Sequence, residues 1–126
     1  MALRKELQEI LDTYVASYVL HNPKGCAAVF APDAVLASPY GPPARGTAEI
    51  EAVHVEWTAH GGENKRMDIV ECGGNSTVAW CLARYSEGAA TGAGTSLIVC
   101  ERETDGPWLI RMCSMNSDFV PTRADL

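Results

Sequence analysis

The spacing of apolar residues changes near residue 65, and this change restricts the chain to few folds. Before that point, apolar side chains recur every three or four residues, the period of amphipathic helices. Beyond it they follow the two-residue period of strands, over 65–72, 76–87, 94–104 and 107–117. Short Gly-rich links between these segments favour antiparallel neighbours. Helices followed by a run of strands predict an α+β fold.

Three helices are predicted in the first part of the chain. The first covers 3–20, where six apolar residues form one stripe. The second is short, from Pro23 to Phe30, and the third begins near Thr47 and ends at Gly61. The members of the first stripe are Leu3, Leu7, Ile10, Leu11, Tyr14 and Tyr18.

The segment between the second and third helices is predicted to hold one short strand, over 34–38, followed by a turn over 39–43. A sheet that covers three helices has to curl around them. We therefore expect one domain, residues 1–126, in which a curved, mainly antiparallel sheet forms a cone with an internal pocket.

Composition excludes several classes of function. The formal net charge of −6 argues against nucleic acid or an anionic membrane as a partner, because both attract a basic surface. No apolar run is long enough to cross a bilayer, and the amino terminus does not have the pattern of a signal peptide. The five cysteines form no CxxC pair, so reduced thiols and a cytoplasmic location are expected.

Metal and cofactor sites are also not expected. No His, Cys, Asp or Glu cluster has the spacing of metal ligands. No Gly-rich loop leads from a strand into a helix, so neither a phosphate-binding loop nor a dinucleotide site is predicted.

Four segments resemble the nuclear transport factor two-like superfamily, which includes ketosteroid isomerase and the SnoaL-like polyketide cyclases. The resemblance covers nearly the whole chain and implies the cystatin-like cone. Its carriers are Tyr14-Val15-Ala16, Val29-Phe30-Ala31-Pro32-Asp33-Ala34-Val35, Gly46-Thr47-Ala48-Glu49-Ile50 and Asp105-Gly106-Pro107-Trp108-Leu109-Ile110. Because this fold hosts enzymes and binding modules alike, the resemblance does not fix an activity.

Comparison with the isomerase argues against steroid isomerisation. The oxyanion tyrosine of the isomerase corresponds to Tyr14, but its aspartate base corresponds to Ser38 and its second aspartate to Cys100. The two carboxyl groups on which the isomerase depends are thus missing. A serine does not by itself accept a carbon-bound proton at neutral pH, so Ser38 is expected to line the pocket but not to act as a base.

Residues on the helices supply the first candidates for a site. Tyr14 and Tyr18 lie one turn apart on the first stripe, and His54 and Trp57 share a face of the third helix. In a pocket, His54 could act as a general base and Tyr14 could stabilise negative charge. The alternative is that these side chains are core residues with internal hydrogen bonds.

Strand residues supply the other candidates. Alternation and the isomerase comparison together place Trp80 and Arg84 on the concave face, and the comparison alone places Arg111 there. A pocket arginine would select an acidic ligand through its planar fork. The alternative is an arginine at the rim of the sheet, paired with Glu101 or Glu103.

Two functions remain open from the sequence. One is a cofactor-free isomerase, cyclase or dehydratase acting on a small oxygenated compound. The other is a non-catalytic ligand-binding or dimerisation module of the same fold. A homodimer is expected in either case, because the strand segment 78–83 is apolar on both of its faces. A sheet face left in water would instead alternate with polar residues.

Overall fold

The computed structural model describes residues 2–88 and 92–118, in which a six-stranded curved sheet packs against three helices. The helices are α1 (Ala2–Val19), α2 (Pro23–Ala28) and α3 (Gly46–Trp57). The strands are β1 (Phe30–Ser38), β2 (Gly41–Arg45), β3 (Arg66–Gly74), β4 (Val78–Ser86), β5 (Gly94–Glu101) and β6 (Leu109–Ser117).

The sheet has the strand order β2-β1-β6-β5-β4-β3. Strands β1 and β6 run parallel, and every other neighbouring pair is antiparallel. The predicted α+β class and mainly antiparallel curved sheet are confirmed. The helices are placed differently from the prediction, since α3 follows the β1–β2 hairpin and only α1 and α2 precede the first strand.

The β1–β2 hairpin is the main departure from the predicted elements. Strand β1 begins at Phe30, and residues 41–45, mostly assigned to a turn from the sequence, form β2. Pro42 and Pro43 have no backbone N–H and so favour a turn assignment. Because β2 is an edge strand, it has no second neighbouring strand that would need a backbone N–H from these positions. Prolines are therefore tolerated there.

Helix α1 covers one edge of the sheet as well as its concave face. Its stripe buries Leu7, Leu11, Tyr14 and Tyr18. Gln8 bonds the edge strand β3 twice. Its Nε2 donates to the carbonyl of Met67 at 2.9 Å, and the Ile69 N–H donates to its Oε1 at 3.1 Å. The side-chain amide thus satisfies backbone groups that an edge strand leaves unpaired.

The register of β4 is opposite to the one predicted, so the predicted inward placement of Trp80 and Arg84 is wrong. Four other residues point to the concave face and are each at most 2% exposed, namely Ala79, Cys81, Ala83 and Tyr85. The outward face carries Val78, Trp80, Leu82 and Arg84. The inward face of β4 therefore carries mostly small side chains, and its large apolar and charged residues face outward.

No helix within residues 2–88 and 92–118 combines the length and apolar character needed to cross a membrane.

Candidate functional site

A small cavity lies between the helices and the concave face of the sheet, and we call it the inner cavity. Its volume is about 20 Å³, enough for roughly one water-sized group. Its lining is mainly apolar. The lining residues are Leu11, Tyr14, Phe30, Leu36, Lys65, Met67, Tyr85, Ser96, Ile98, Ile110, Cys113 and Met115.

A wider, open space of about 420 Å³ adjoins this cavity, and we call it the outer chamber. The two spaces share Lys65, Tyr85 and Met115 in their walls. A compact organic molecule fits the chamber, whereas the inner cavity admits only a small substituent of it. The outer chamber is lined by Tyr18, Tyr40, Glu56, Trp57, Lys65, Tyr85, Glu87, Gly92 and Met115.

Tyr14 and His54 form a hydrogen-bonded pair behind the inner cavity. The Tyr14 hydroxyl lies 2.7 Å from Nε2 of His54, and Nδ1 of His54 lies 2.7 Å from the carbonyl oxygen of Ile50. A carbonyl only accepts, so Nδ1 carries the proton in the neutral ring and Nε2 accepts from Tyr14. Both ring nitrogens are therefore occupied within the protein.

His54 is also closed off from ligand. Its side chain is 0% exposed and does not line the inner cavity or the outer chamber. Burial lowers the pKa of His54 to about 4, and the nearby positive charge of Lys65 acts in the same direction. At neutral pH the ring is uncharged and weakly basic. The geometry matches the alternative of a core histidine with internal partners.

Lys65 lies where the inner cavity meets the outer chamber. The residue directly precedes β3 and is only 6% exposed. Nζ is 4.5 Å from the ring centroid of Tyr18 and 5.1 Å from that of Tyr85. Two aromatic faces thus hold the amine in place through cation–π contacts.

The amine of Lys65 has no ion-pair partner in the described part of the chain. No hydrogen bond or salt bridge joins Nζ to any side chain among residues 2–88 and 92–118. Burial lowers the pKa of Lys65, while the Glu87 carboxylate opposes that shift from the chamber wall. Buried lysines are normally paired, so this one is unusual.

Ser96 supplies a second polar group, which lies at the inner cavity. The residue is 0% exposed and lines the inner cavity from β5. Its Oγ finds no hydrogen-bond partner among the residues described, and the neighbouring Cys113 thiol does not meet hydrogen-bonding geometry. Burial raises the pKa of Cys113 to about 12, so this thiol stays protonated.

Four aromatic residues, Tyr18, Tyr40, Trp57 and Tyr85, line the chamber around Lys65. The hydroxyls of Tyr40 and Tyr85 lie 3.0 Å apart, and the ring of Tyr40 packs edge-on against Trp57 at 6.0 Å. The Tyr18 hydroxyl donates to the backbone carbonyl of Trp57 at 3.3 Å. Burial raises the pKa of Tyr85 and of Tyr18, so both remain protonated at neutral pH.

The predicted site residues are distributed over several places. Tyr18 and Trp57 line the outer chamber, and Tyr14 lines the inner cavity. Arg84 lies outside both spaces and forms a two-pronged ion pair with Asp118, at 3.0 and 2.6 Å, on the exposed face. An acidic ligand held by Arg84 in a pocket is therefore excluded.

Three further predicted residues also lie outside both spaces. Arg111 lies 3.6 Å from both Asp33 and Glu101, which matches the predicted alternative of a rim arginine. The Ser38 hydroxyl accepts the N–H of the Tyr40 backbone at 3.2 Å and so belongs to the hairpin turn. Trp80 is 41% exposed on the outer face of β4.

Sequence reasoning missed Lys65 and Tyr85, although a signal for each was present. Lys65 has the same parity as Met67 and Ile69, which point inward from β3. Tyr85 continues the inward series of small residues on β4. The prediction took the inward side of β4 from the isomerase comparison, and this choice reversed the assignment.

Solved structures with the same architecture are known, although no protein-family model and no curated protein matches the chain. A ketosteroid isomerase-like protein from Erwinia carotovora atroseptica is similar, with a TM-score of 0.75 and 17% identity over 93% of this chain and 97% of that one. The chain has the cystatin-like fold of these proteins.

Two further structures show the same cystatin-like fold. A domain of unknown function from Nostoc punctiforme has a TM-score of 0.76 and 19% identity over 94% of this chain and 76% of that one. An NTF-2-like protein of unknown function from Shewanella oneidensis has a TM-score of 0.73 and 16% identity over 88% of this chain and 96% of that one. At such identities the likeness extends to the cystatin-like fold and not to an activity.

Proposed function

We propose that this chain binds a small, flat, oxygenated organic molecule in the outer chamber, with an oxygen of the ligand at Lys65. The observation that carries the proposal is the amine of Lys65, which is 6% exposed, lies between two aromatic rings and has no ion-pair partner among the described residues. A buried cation without a hydrogen-bond acceptor costs free energy. A ligand carboxylate, enolate or carbonyl would supply that acceptor.

The chamber wall supports a flat ligand body. Tyr18, Trp57 and Tyr85 offer aromatic surface, and the Tyr40–Tyr85 hydroxyl pair offers polar contacts at one side. Small-molecule pockets combine ring surface with placed polar groups, and this chamber adds Lys65, Glu56 and Glu87 to its rings. The Ser96 hydroxyl, which has no hydrogen-bond partner among the described residues, lies deeper, in the inner cavity, and suits a small polar substituent of the same ligand.

Binding is better supported than a catalytic role for His54. The ring nitrogens of His54 are occupied by Tyr14 and Ile50, so the residue is not free to remove a ligand proton. A cofactor-free isomerase, cyclase or dehydratase would need another base. Glu56 and Glu87, the carboxylates of the chamber wall, are the candidates for it.

The test of binding is a thermal-shift titration with benzoate, followed by calorimetry. A ligand specific for the folded chain raises the melting temperature by mass action. We expect benzoate to stabilise the wild type, and Lys65→Met to abolish the shift. Arg84→Ala, which removes a cation outside the chamber, is the matched control and should retain it. Equal shifts in the wild type and Lys65→Met would contradict the proposal.

A second proposal concerns the outer face of the sheet, which we propose pairs with a second copy of the chain. Val78, Trp80 and Leu97 are 45%, 41% and 45% exposed on neighbouring strands β4 and β5. Gly73 extends the patch, because the Trp80 indole lies against it. A contiguous apolar face of this kind favours burial against a partner.

A further inference from the structure

The amine of Lys65 combines three properties that seldom occur together. It is nearly buried, it lacks a carboxylate partner among the described residues, and it borders an open chamber. An exposed lysine is a protonated, hydrated cation at neutral pH. A lysine in an aromatic, poorly solvated site keeps a larger neutral fraction, and the neutral amine is a nucleophile.

We infer that Lys65 is a covalent site for small aldehydes or ketones, forming a reversible imine between Nζ and the carbonyl carbon of a ligand in the outer chamber. This inference deepens the proposed binding function and rests on it. It assigns the oxygen at Lys65 to a carbonyl group.

Imine formation needs no reactant other than the amine of Lys65 and the carbonyl compound. The neutral amine adds to the carbonyl carbon, the C=O π bond breaks, and a proton moves from nitrogen to oxygen to give a carbinolamine. Loss of the hydroxyl as water, with the second N–H proton, leaves the C=N bond. Water is the other product, and the reverse step returns the free amine and carbonyl compound.

The surroundings of Nζ support each transfer of a proton. The Glu87 carboxylate lines the chamber and can accept the proton that the ammonium must lose. The hydroxyls of Tyr40 and Tyr85, 3.0 Å apart, line the same wall and can donate to the departing oxygen. Burial raises the pKa of Tyr85, which keeps that donor protonated.

Ring contacts limit the shape of the carbonyl compound. Nζ lies against the faces of Tyr18 and Tyr85, so the carbonyl carbon must approach from the open side of the chamber. The adjoining inner cavity, about 20 Å³, leaves room only for a small substituent. A compact aromatic aldehyde fits these limits.

The chain offers two internal controls, because its other lysines, Lys5 and Lys24, are exposed. The full chain is incubated at pH 7 with benzaldehyde and cyanoborohydride, which reduces an imine to a stable secondary amine. Peptide mapping by mass spectrometry then gives the label at each lysine. We expect Lys65 to carry at least ten times the label of Lys5 or Lys24.

Two variants and one parallel measurement sharpen this experiment. Lys65→Arg retains the positive charge but forms no imine under these conditions, so the label at this position should be lost. Arg84→Ala should label as the wild type does. Equal labelling of the three lysines while benzoate still raises the melting temperature would overturn the imine and leave binding in place. If Lys65 is not labelled selectively and benzoate also fails to raise the melting temperature, both proposals are overturned.

Discussion

The Tyr14 hydroxyl donates to Nε2 of His54 across 2.7 Å, and the Ile50 carbonyl fixes the direction of that bond by accepting from Nδ1. The hydroxyl proton of Tyr14 is therefore committed to the protein interior. Tyr14 lines the inner cavity, but its donor does not point to a ligand. The pair joins α1 to α3 across the core, which is a structural role.

Tyr14→Phe should lower stability more than it changes ligand binding. The variant leaves a buried acceptor on His54 unsatisfied, and we expect a loss of about 1–3 kcal/mol in the free energy of unfolding. Urea denaturation measures the loss. Tyr40→Phe, which removes a hydroxyl from a 48% exposed residue, is the control and should cost under about 1 kcal/mol. A stable variant that no longer binds benzoate would contradict this assignment.

Stability should fall as the pH drops from about 6.5 to about 4, because of His54. Burial lowers the pKa of His54 from 6.5 to about 4 in the folded chain, so the unfolded chain binds more protons within that window. The contribution is fully present above 6.5 and amounts to about 3 kcal/mol as an upper limit. Urea unfolding at several pH values measures it.

The matched variant for this pH dependence is His54→Gln, which has no titrating ring. Carboxylates also titrate near pH 4, and they are unchanged between the two proteins. The difference in stability between wild type and variant should therefore vary with pH over the His54 window only. A difference that stays constant from pH 7 to pH 4 would argue that the histidine charges readily inside the fold.

Lys65→Met should make the chain more stable while it removes ligand binding. The substitution replaces a buried amine, which has no ion-pair partner among the described residues, by an apolar side chain of similar length. We expect this gain to outweigh the lost cation–π contacts. We expect a gain of about 1–2 kcal/mol in the free energy of unfolding. Lys24→Met, at an exposed position, is the control and should change little. A large loss of stability would instead assign Lys65 to the structural core.

Trp80→Arg should convert the proposed dimer to a monomer. A charge placed on the outer face of β4 opposes burial of that face against a second copy. Sedimentation velocity should give twice the 13.5 kDa chain mass for the wild type and the chain mass for the variant. Leu20→Arg changes a 74% exposed leucine that directly follows α1, and this variant should remain dimeric. A wild type that sediments as a monomer at micromolar concentration removes the proposal.

The fold could be predicted from the sequence because the spacing of its apolar residues changes clearly from a helical to a strand period. The apolar stripe of α1 predicts a helix and the alternation of β4 predicts a strand. Neither prediction depends on what packs against the element. The edge strand β2 was not accessible, since Pro42 and Pro43 have the composition of a turn and only their neighbour β1 makes them a strand.

The site was less accessible, for a reason that β4 illustrates. Alternation shows that Trp80 and Tyr85 face opposite sides, but it does not say which side is concave. That choice depends on which face the whole sheet turns toward the helices, and the sequence of a single strand does not record it. Lys65 was hidden for a related reason, because a charged residue at the start of a strand is ordinarily solvated.

The bonds from Gln8 to Met67 and Ile69 have a consequence for how copies of this chain can meet. They close part of the β3 edge to further strand addition, and the prolines of β2 weaken strand addition at the opposite edge. Edge-to-edge pairing of sheets from different chains, the route toward fibrils, is thereby discouraged at both edge strands. The pairing that we propose for the outer face is of another kind, because contacts between two copies related by a two-fold axis close on themselves instead of propagating.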